Sequence, residues 1–269
     1  MFRTIVLGAS GRMGRAVIAA AAGHPSLAIS AAVDRADSGF IGHDSGELAA
    51  IGRNGIPVTS NLAAALADGD VVIDFSDASV TAMHLDACAA AGVAALICTT
   101  GLAESVEAHV ERAAQKVPVL VSANTSLGVT LLIELVRLAA EALPEDFDIE
   151  IIEAHHRHKK DAPSGTALAL GRAAAAGRQQ QLNDVARYAR VGVAPRVAGE
   201  IGFATVRGGD IVGDHSVLYA GSAERLTLSH QATARAVFAR GAIQAAAWLA
   251  GQAAGRYQMR DVILNKTKT

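Results

Sequence analysis

The sequence predicts two joined architectures: an α/β domain on a parallel sheet, and a second, α+β domain with a mostly antiparallel sheet. Three observations lead there. Up to Asn124, short apolar strands alternate with helical stretches, which calls for right-handed crossovers and helices on both sheet faces. Past Asn124 that alternation stops, and strands broken by Gly-Asp turns take over. The length, 269 residues, exceeds the usual single domain.

Taken in order, "RTIVLG" (3–8) reads as a short buried strand, followed by a turn and the helix "GRAVIAAAAG". "LAISAAVD" is a second strand ending at Asp34, and "VVIDFS" (71–76) a third. Next come the helix "VTAMHLDACAAAG", the strand "AALICTTG", the helix "AESVEAHVERAAQ" and the strand "VPVLVSAN". "GVTLLIELVRLAAEAL" then carries apolar residues at helical spacing. "FDIEIIEAHH" alternates apolar and acidic residues, as a strand with one wet face would. "GFATVRGGDIVGDHSVLYAGSAERLTLSHQA" reads as an antiparallel set, and "ARAVFARGAIQAAAWLAG" as an amphipathic helix that periodicity alone assigns to neither domain.

Composition narrows the function. Apolar residues make up 51% and charged residues 19%, a globular balance. Lys and Arg number 24 against 26 Asp and Glu, so no basic surplus suggests nucleic-acid binding. The apolar run "TIVLGA" is too short for a signal-peptide core, and no stretch of about 18 apolar residues suggests a spanning helix. Cys88 and Cys98 are the two cysteines; they suit a reducing cytosol and provide neither a disulfide framework nor a zinc site. The expectation is a cytoplasmic protein acting on a small molecule.

"GASGRMG" (8–14) sits between the first strand and the first helix, where a dinucleotide phosphate would lie. Its G-x-x-G-x-x-G spacing is less common than G-x-G-x-x-G, and a plain tight turn is the competing reading. Position favours the cofactor, since Asp34 ends the second strand about 20 residues on. The first domain is therefore expected to be a Rossmann-like dinucleotide-binding domain. Asp34 suits ribose hydroxyls and NAD, whereas Arg35 suits a 2′-phosphate and NADP, so both cofactors stay open. Arg12 is either a pyrophosphate contact or solvated. The strand ends "DFSDAS", "CTTG" and "SANTS" offer small polar groups where ligands bind in such sheets.

The densest chemistry is "EAHHRHKKDAPSGTAL" (153–168), in which three histidines, an arginine and two lysines occupy consecutive positions. His155 and His158 have ligand-like spacing, but the neighbouring cations oppose a metal ion, so none is expected. A solvated basic face is the bland alternative. Against it, the run leaves a strand and enters a helix that Ser164 can cap and Gly165 and Thr166 open. Cations beside a helix N-terminus make an anion site, most naturally for a carboxylate-bearing substrate. His and Lys also donate protons near neutral pH, and a cationic cluster is expected to depress the pKa of Lys159.

"GASGRMG", "DFS", "CTTG", "SANTSLGV", "EAHHRHKKDAPSGTAL" and "FATVRGGDIVGDHSV", in this order, resemble the dihydrodipicolinate (4-hydroxy-tetrahydrodipicolinate) reductases of bacterial lysine and diaminopimelate synthesis. The resemblance spans essentially the whole chain, and its most specific part is the histidine–lysine run. It implies NADH- or NADPH-dependent reduction of a cyclic hydroxylated imine, with loss of water, to tetrahydrodipicolinate. It makes His155 and Lys159 the acid–base pair, with Lys159 a proton donor. His156, Ser164, Gly165 and Thr166 would hold the substrate carboxylates. Gly8, Ala9, Ser10, Gly11, Arg12 and Met13, then Asp34 with Arg35, Cys98, Thr99 and Thr100, and Ser122, Ala123, Asn124 and Thr125 would line the cofactor. It also implies a homotetramer built by the middle domain, with residues 1–126 and 236–269 forming the cofactor domain and 127–235 the substrate domain.

Four positions depart from the family pattern or vary within it. Asp77 stands where many members carry arginine after "DF[ST]", which puts a cofactor contact in doubt and weakens the case for NADPH. Thr125 stands where many have an aromatic, Asp34 replaces a glutamate, and Lys160 falls at a variable position without a role. Two rival functions are compatible with the same fold: another oxidoreductase of an amino or keto dicarboxylate, and a non-catalytic nucleotide sensor. The histidine–lysine run opposes the first, and an intact acid–base pair opposes the second.

Overall fold

The computed structural model describes residues 1–264; residues 265–269, within the expected cofactor domain, lie outside the described residues. The chain divides into two compact units, Met1–Ser126 with Ala236–Thr269, and Leu127–Arg235.

The first unit begins with β1 (Phe2–Leu7), α1 (Arg12–Ala21) and β2 (Leu27–Val33). It continues through α2 (Ser45–Leu48), β3 (Val58–Thr59), α3 (Leu62–Ala67), β4 (Val71–Asp74), α4 (Thr81–Ala91), β5 (Ala94–Ile97), α5 (Val106–Ala114) and β6 (Pro118–Val121). The second unit holds α6 (Leu127–Ala142), β7 (Asp148–His155), α7 (Gly165–Gly177), α8 (Leu182–Val185), β8 (Ala186–Arg187), β9 (Ile201–Arg207), β10 (Gly213–Ala220) and β11 (Arg225–Ala232). The chain then returns to the first unit as α9 (Ala236–Leu249), β12 (Gly255–Tyr257) and α10 (Met259–Leu264).

The first sheet has seven strands in the order β12-β6-β5-β4-β1-β2-β3, every pairing parallel. All four residues of β4 and of β5 are buried, as strands covered on both faces must be. Ile5, Leu7, Val72, Ala95, Ile97 and Val119 join one core with residues of α4 and α5. The alternate residues Val6, Ile73, Leu96 and Leu120 point to the opposite face and are equally buried. Each such side chain contributes about 1.5–3 kcal/mol of burial. α9 packs against α1 and against β4, β5 and β6. β12, not apparent in the sequence, adds a seventh strand beside β6.

Between β2 and β3 a loop is organised by Asp44, which caps α2 through Gly46 N and Glu47 N and accepts also from Asn54 N and Gly55 N. Partial burial opposes its ionisation, but these N–H donors outweigh burial and hold its carboxyl below the usual range.

The second sheet has the order β11-β10-β7-β9-β8. The pairings of β10 with β11 and of β10 with β7 are antiparallel. β9, however, lies parallel to β7, so β7 separates the successive strands β9 and β10. One face is apolar over half its length: Ile149, Ile151, Ile201, Phe203, Val217 and Tyr219 pack beneath α6 and α7 with Leu132, Val136 and Leu170. The Tyr219 hydroxyl donates to the Val136 carbonyl at 2.6 Å, satisfying the one polar atom this ring buries.

Candidate active site

In the first unit the glycine loop joins β1 to α1. Gly8 has φ +70°, and a Cβ there would lie 2.8 Å from the Phe75 carbonyl oxygen. Gly14 sits at the start of α1, where a Cβ would overlap the Gly8 carbonyl oxygen and lie 2.6 Å from the Ala9 Cα. The loop thus folds tightly back on its own helix, bringing backbone N–H groups of the first turn to the carboxyl end of the sheet. Asp34, just past β2, accepts from Ser10 N at 2.9 Å and from the Ser10 hydroxyl, and its other oxygen accepts from Arg35 N at 2.8 Å. The carboxylate that the sequence marks for ribose therefore also anchors the glycine loop. Arg35 is exposed and paired with Asp37 at 3.2 Å; Arg12 is exposed as well. Arg15, not singled out from sequence, donates from Nε to the Ser10 carbonyl at 2.7 Å and stacks over Phe40.

The other expected cofactor residues gather at neighbouring strand ends. Thr99, after β5, reaches the carbonyls of Asp74 and Ser76 at 3.5 and 3.4 Å. Cys98 is buried, and its thiol pKa is pushed well up by burial and then by Asp74, so the thiol stays protonated and unreactive. Ser122 donates to the Asn124 carbonyl at 2.7 Å. Thr125 is buried, with its hydroxyl donated to the Phe238 carbonyl at 2.6 Å, so this side chain ties the 122–126 turn to α9. Asp77 caps a single 3₁₀ turn (Ala78–Val80) through Ser79 N and Oγ, and those bonds hold its carboxyl low, aided weakly by Arg35.

In the second unit the covered face of the sheet changes character along its length. Beyond Ile149 and Ile151, β7 continues the same inward parity with Glu153 and His155, both buried. The wet-face expectation for this strand's acidic residues thus fails at Glu153, which points inward. In register, Glu153 lies opposite Thr205 of β9 and His215 of β10, and His155 opposite Arg207. Glu153 accepts from His155 Nδ1 at 2.5 Å, from both terminal nitrogens of Arg207 at 2.8 Å, and from Ser164 N at 3.0 Å. Burial alone would raise its pKa, but Arg207, His155 and the Ser164 amide more than offset this and keep it low. Burial lowers the pKa of His155, with Glu153 opposing and Lys159 and Arg207 assisting.

Ser164 caps α7, accepting from Ala167 N at 3.1 Å, and its hydroxyl meets His215 Nε2 at 3.1 Å. With its amide given to Glu153 and its hydroxyl engaged on two sides, Ser164 is committed to placing the helix, and Gly165 and Thr166 remain at the accessible first turn. Lys159 Nζ pairs with the Asp161 carboxylate at 2.9 Å, an anion that the purely cationic picture of this loop left out. The His156 ring lies 6.3 Å from that of His158. Among the described residues no group of three or more His, Cys, Asp or Glu side chains is arranged to hold a metal ion, and no helix is long and apolar enough to cross a membrane.

His215 has a consequence for stability. Burial, then the neighbouring His155, pushes its pKa from 6.5 down to about 4. Between these values the unfolded chain binds more protons than the folded one, so stability rises with pH across that window and is lost on acidification. This one group accounts for ~3 kcal/mol by the bottom of the window. Urea unfolding at about pH 7 and about pH 5 should show a smaller loss for His215→Gln than for the parent; equal losses would refute the buried-neutral state.

A family model described as "Dihydrodipicolinate reductase, N-terminus" matches residues 2–125, and one described as "Dihydrodipicolinate reductase, C-terminus" matches residues 128–263. The 4-hydroxy-tetrahydrodipicolinate reductase of Thiobacillus denitrificans is 51% identical over 263 residues, covering 97% of this chain and 98% of that protein. The enzyme of the same name from Acinetobacter baumannii is 49% identical over 259 residues, covering 96% and 94%. Among solved structures, dipicolinate-bound dihydrodipicolinate reductase from Paenisporosarcina sp. TG-14 superposes with a TM-score of 0.78 at 23% identity, covering 98% of this chain and 99% of that one. An amine dehydrogenase from Mycobacterium smegmatis follows the same fold more loosely, with a TM-score of 0.57 at 12% identity.

Proposed function

The chain belongs to the dihydrodipicolinate reductase family, and from that premise we propose how its own residues divide the work. It is an oxidoreductase that reduces 4-hydroxy-tetrahydrodipicolinate to tetrahydrodipicolinate in lysine biosynthesis, with NADH or NADPH as reductant. Neither rival reading, a different dicarboxylate oxidoreductase or a silent nucleotide sensor, accounts for relatives at about half identity over nearly the full length.

The observation that carries the assignment of roles is the polar end of the second sheet, where His155, Lys159 and the opening of α7 share one anchor, the buried Glu153 with its partner Arg207. The first unit is the dinucleotide-binding domain. Its glycine loop leaves no room for a Cβ at Gly8 or Gly14, which suits close approach of a pyrophosphate, and Asp34 stands ready for the ribose hydroxyls. When bound, the nicotinamide supplies the hydride. The second unit, residues 127–235, is the substrate domain. Gly165 and Thr166, at the positive end of α7, together with His156, orient the two carboxylates; Ser164 acts by holding that helix end in place.

Lys159 is the proton donor. Its ammonium rests on Asp161, which holds it in the loop that leads into α7, from where it can hand its proton to the ring. His155, with Nδ1 committed to Glu153, presents Nε2 to exchange a proton beside Lys159. Ile152 and Val206 are exposed on the sheet face away from α6 and α7, which supports assembly through this domain, in line with a homotetramer in the cytoplasm.

Synthase-coupled oxidation of each reduced nicotinamide, followed by absorbance, tests the function. Oxidation should depend on the synthase product and be blocked competitively by dipicolinate, a planar diacid. Oxidation that ignores the synthase product would reject the reading.

A further inference from the structure

We propose that the buried Glu153 and the partly exposed Arg207 form an ion pair that positions the proton-transfer groups, setting the tautomer of His155 and tethering the Lys159 loop to α7. The proposal rests on the roles given above to His155 and Lys159, and adds two residues to them.

Glu153 is 1% exposed, and its carboxylate receives strong bonds on both oxygens. Oε2 accepts from His155 Nδ1 and Arg207 Nη1; Oε1 accepts from Arg207 Nη2 and Ser164 N. A carboxylate surrounded by donors in this way stays ionised and can only accept. His155 must therefore carry its hydrogen on Nδ1, which leaves Nε2 for chemistry. Arg207 does more than balance the charge. Its Nη2 also donates to the Asp161 carbonyl at 2.6 Å, and the Asp161 carboxylate holds Lys159. One guanidinium thus joins the strand bearing His155, the loop bearing Lys159 and, through Glu153, the first residue of the α7 cap.

The charged and titratable groups around His155 are Glu153 on its own strand, Arg207 on β9, His215 on β10 with ring centroids 5.0 Å apart, and Lys159 with its partner Asp161 on the loop. Glu153 draws a proton toward His155, whereas Lys159 and Arg207 repel it. Removing the two partners one at a time must therefore move the titration of His155 in opposite directions. A pair that merely holds the fold together would not produce signed shifts.

The test uses Glu153→Gln and Arg207→Gln in the full chain, with kcat/KM measured across pH and the dissociation constant of NADH measured separately. In Glu153→Gln the inflection belonging to His155 should move to lower pH by about one unit, and turnover near neutrality should fall ~10²-fold. In Arg207→Gln it should move to higher pH, with a rise in KM for the substrate. NADH affinity should stay within about 3-fold in both. Should either variant not fold, Arg207→Lys decides: it keeps the cation but loses the two-pronged bond, so turnover should fall about 10-fold with the inflection in place. Inflections that stay at the parent value in both glutamine variants, or parent turnover in Arg207→Lys, would overturn the proposal. Failure of the underlying reading looks different, because His155→Ala itself would then turn over normally.

Discussion

Lys159→Ala and His155→Ala should each lower turnover by about 10²-fold or more while NADH still binds, a loss of about 2.7 kcal/mol in transition-state stabilisation. The reason is local. Lys159 is held 2.9 Å from Asp161 and has no second lysine in that ion pair to replace it; Lys160 next to it is exposed. His155 is buried beside Glu153, and alanine there would leave a buried carboxylate short of one donor. His155→Ala should therefore also lower stability, whereas Lys159→Ala, at a partly exposed position, should leave the melting temperature nearly unchanged. Steady-state rates alongside quenching titrations with NADH separate the effects. Normal turnover in both variants would refute the assigned roles.

Gly14→Ala should produce the opposite pattern. Its methyl would overlap the Gly8 carbonyl oxygen and press on the Ala9 backbone at 2.6 and 2.8 Å, and no flexible side chain is available to yield. The glycine loop must open, at a cost of ~3 kcal/mol, and the N–H groups of the α1 first turn lose their alignment. The dissociation constant of NADH should rise by at least about 10-fold. Binding of a planar diacid to the second unit should be unaffected, because every residue that fixes His155 and α7 lies within residues 127–235. An unaltered NADH affinity would mean that the loop does not cradle the cofactor.

What the sequence made legible followed from local rules. Strand-helix alternation, the glycine loop with Asp34 about 20 residues on, and Ser164 before a helix each need only neighbouring residues to be read. What stayed hidden depends on register across the second sheet. Arg207 stands opposite His155, and His215 opposite Glu153, across dozens of residues of sequence. No short-range pattern carries that pairing, all the more since β9 runs parallel to β7 and β10 antiparallel to it. One signal was available. Glu153 and His155 share the parity of Ile149 and Ile151, so a strand buried at the isoleucines must bury these two as well. The alternation of acidic and apolar residues along the strand masks it. Likewise no local pattern tells that Asp161 folds back onto Lys159, and β12, three residues long, is too short for any periodicity to show.

The central claim is that a nicotinamide hydride reaches the substrate ring while the second unit delivers the proton. Its most direct test is to run the reduction with NADH deuterated at both C4 positions and to weigh the tetrahydrodipicolinate formed. A single deuterium in a carbon–hydrogen bond of the product is the expected result, retained when the solvent is exchanged. Product without deuterium, or deuterium left wholly on the nicotinamide, would contradict the assignment.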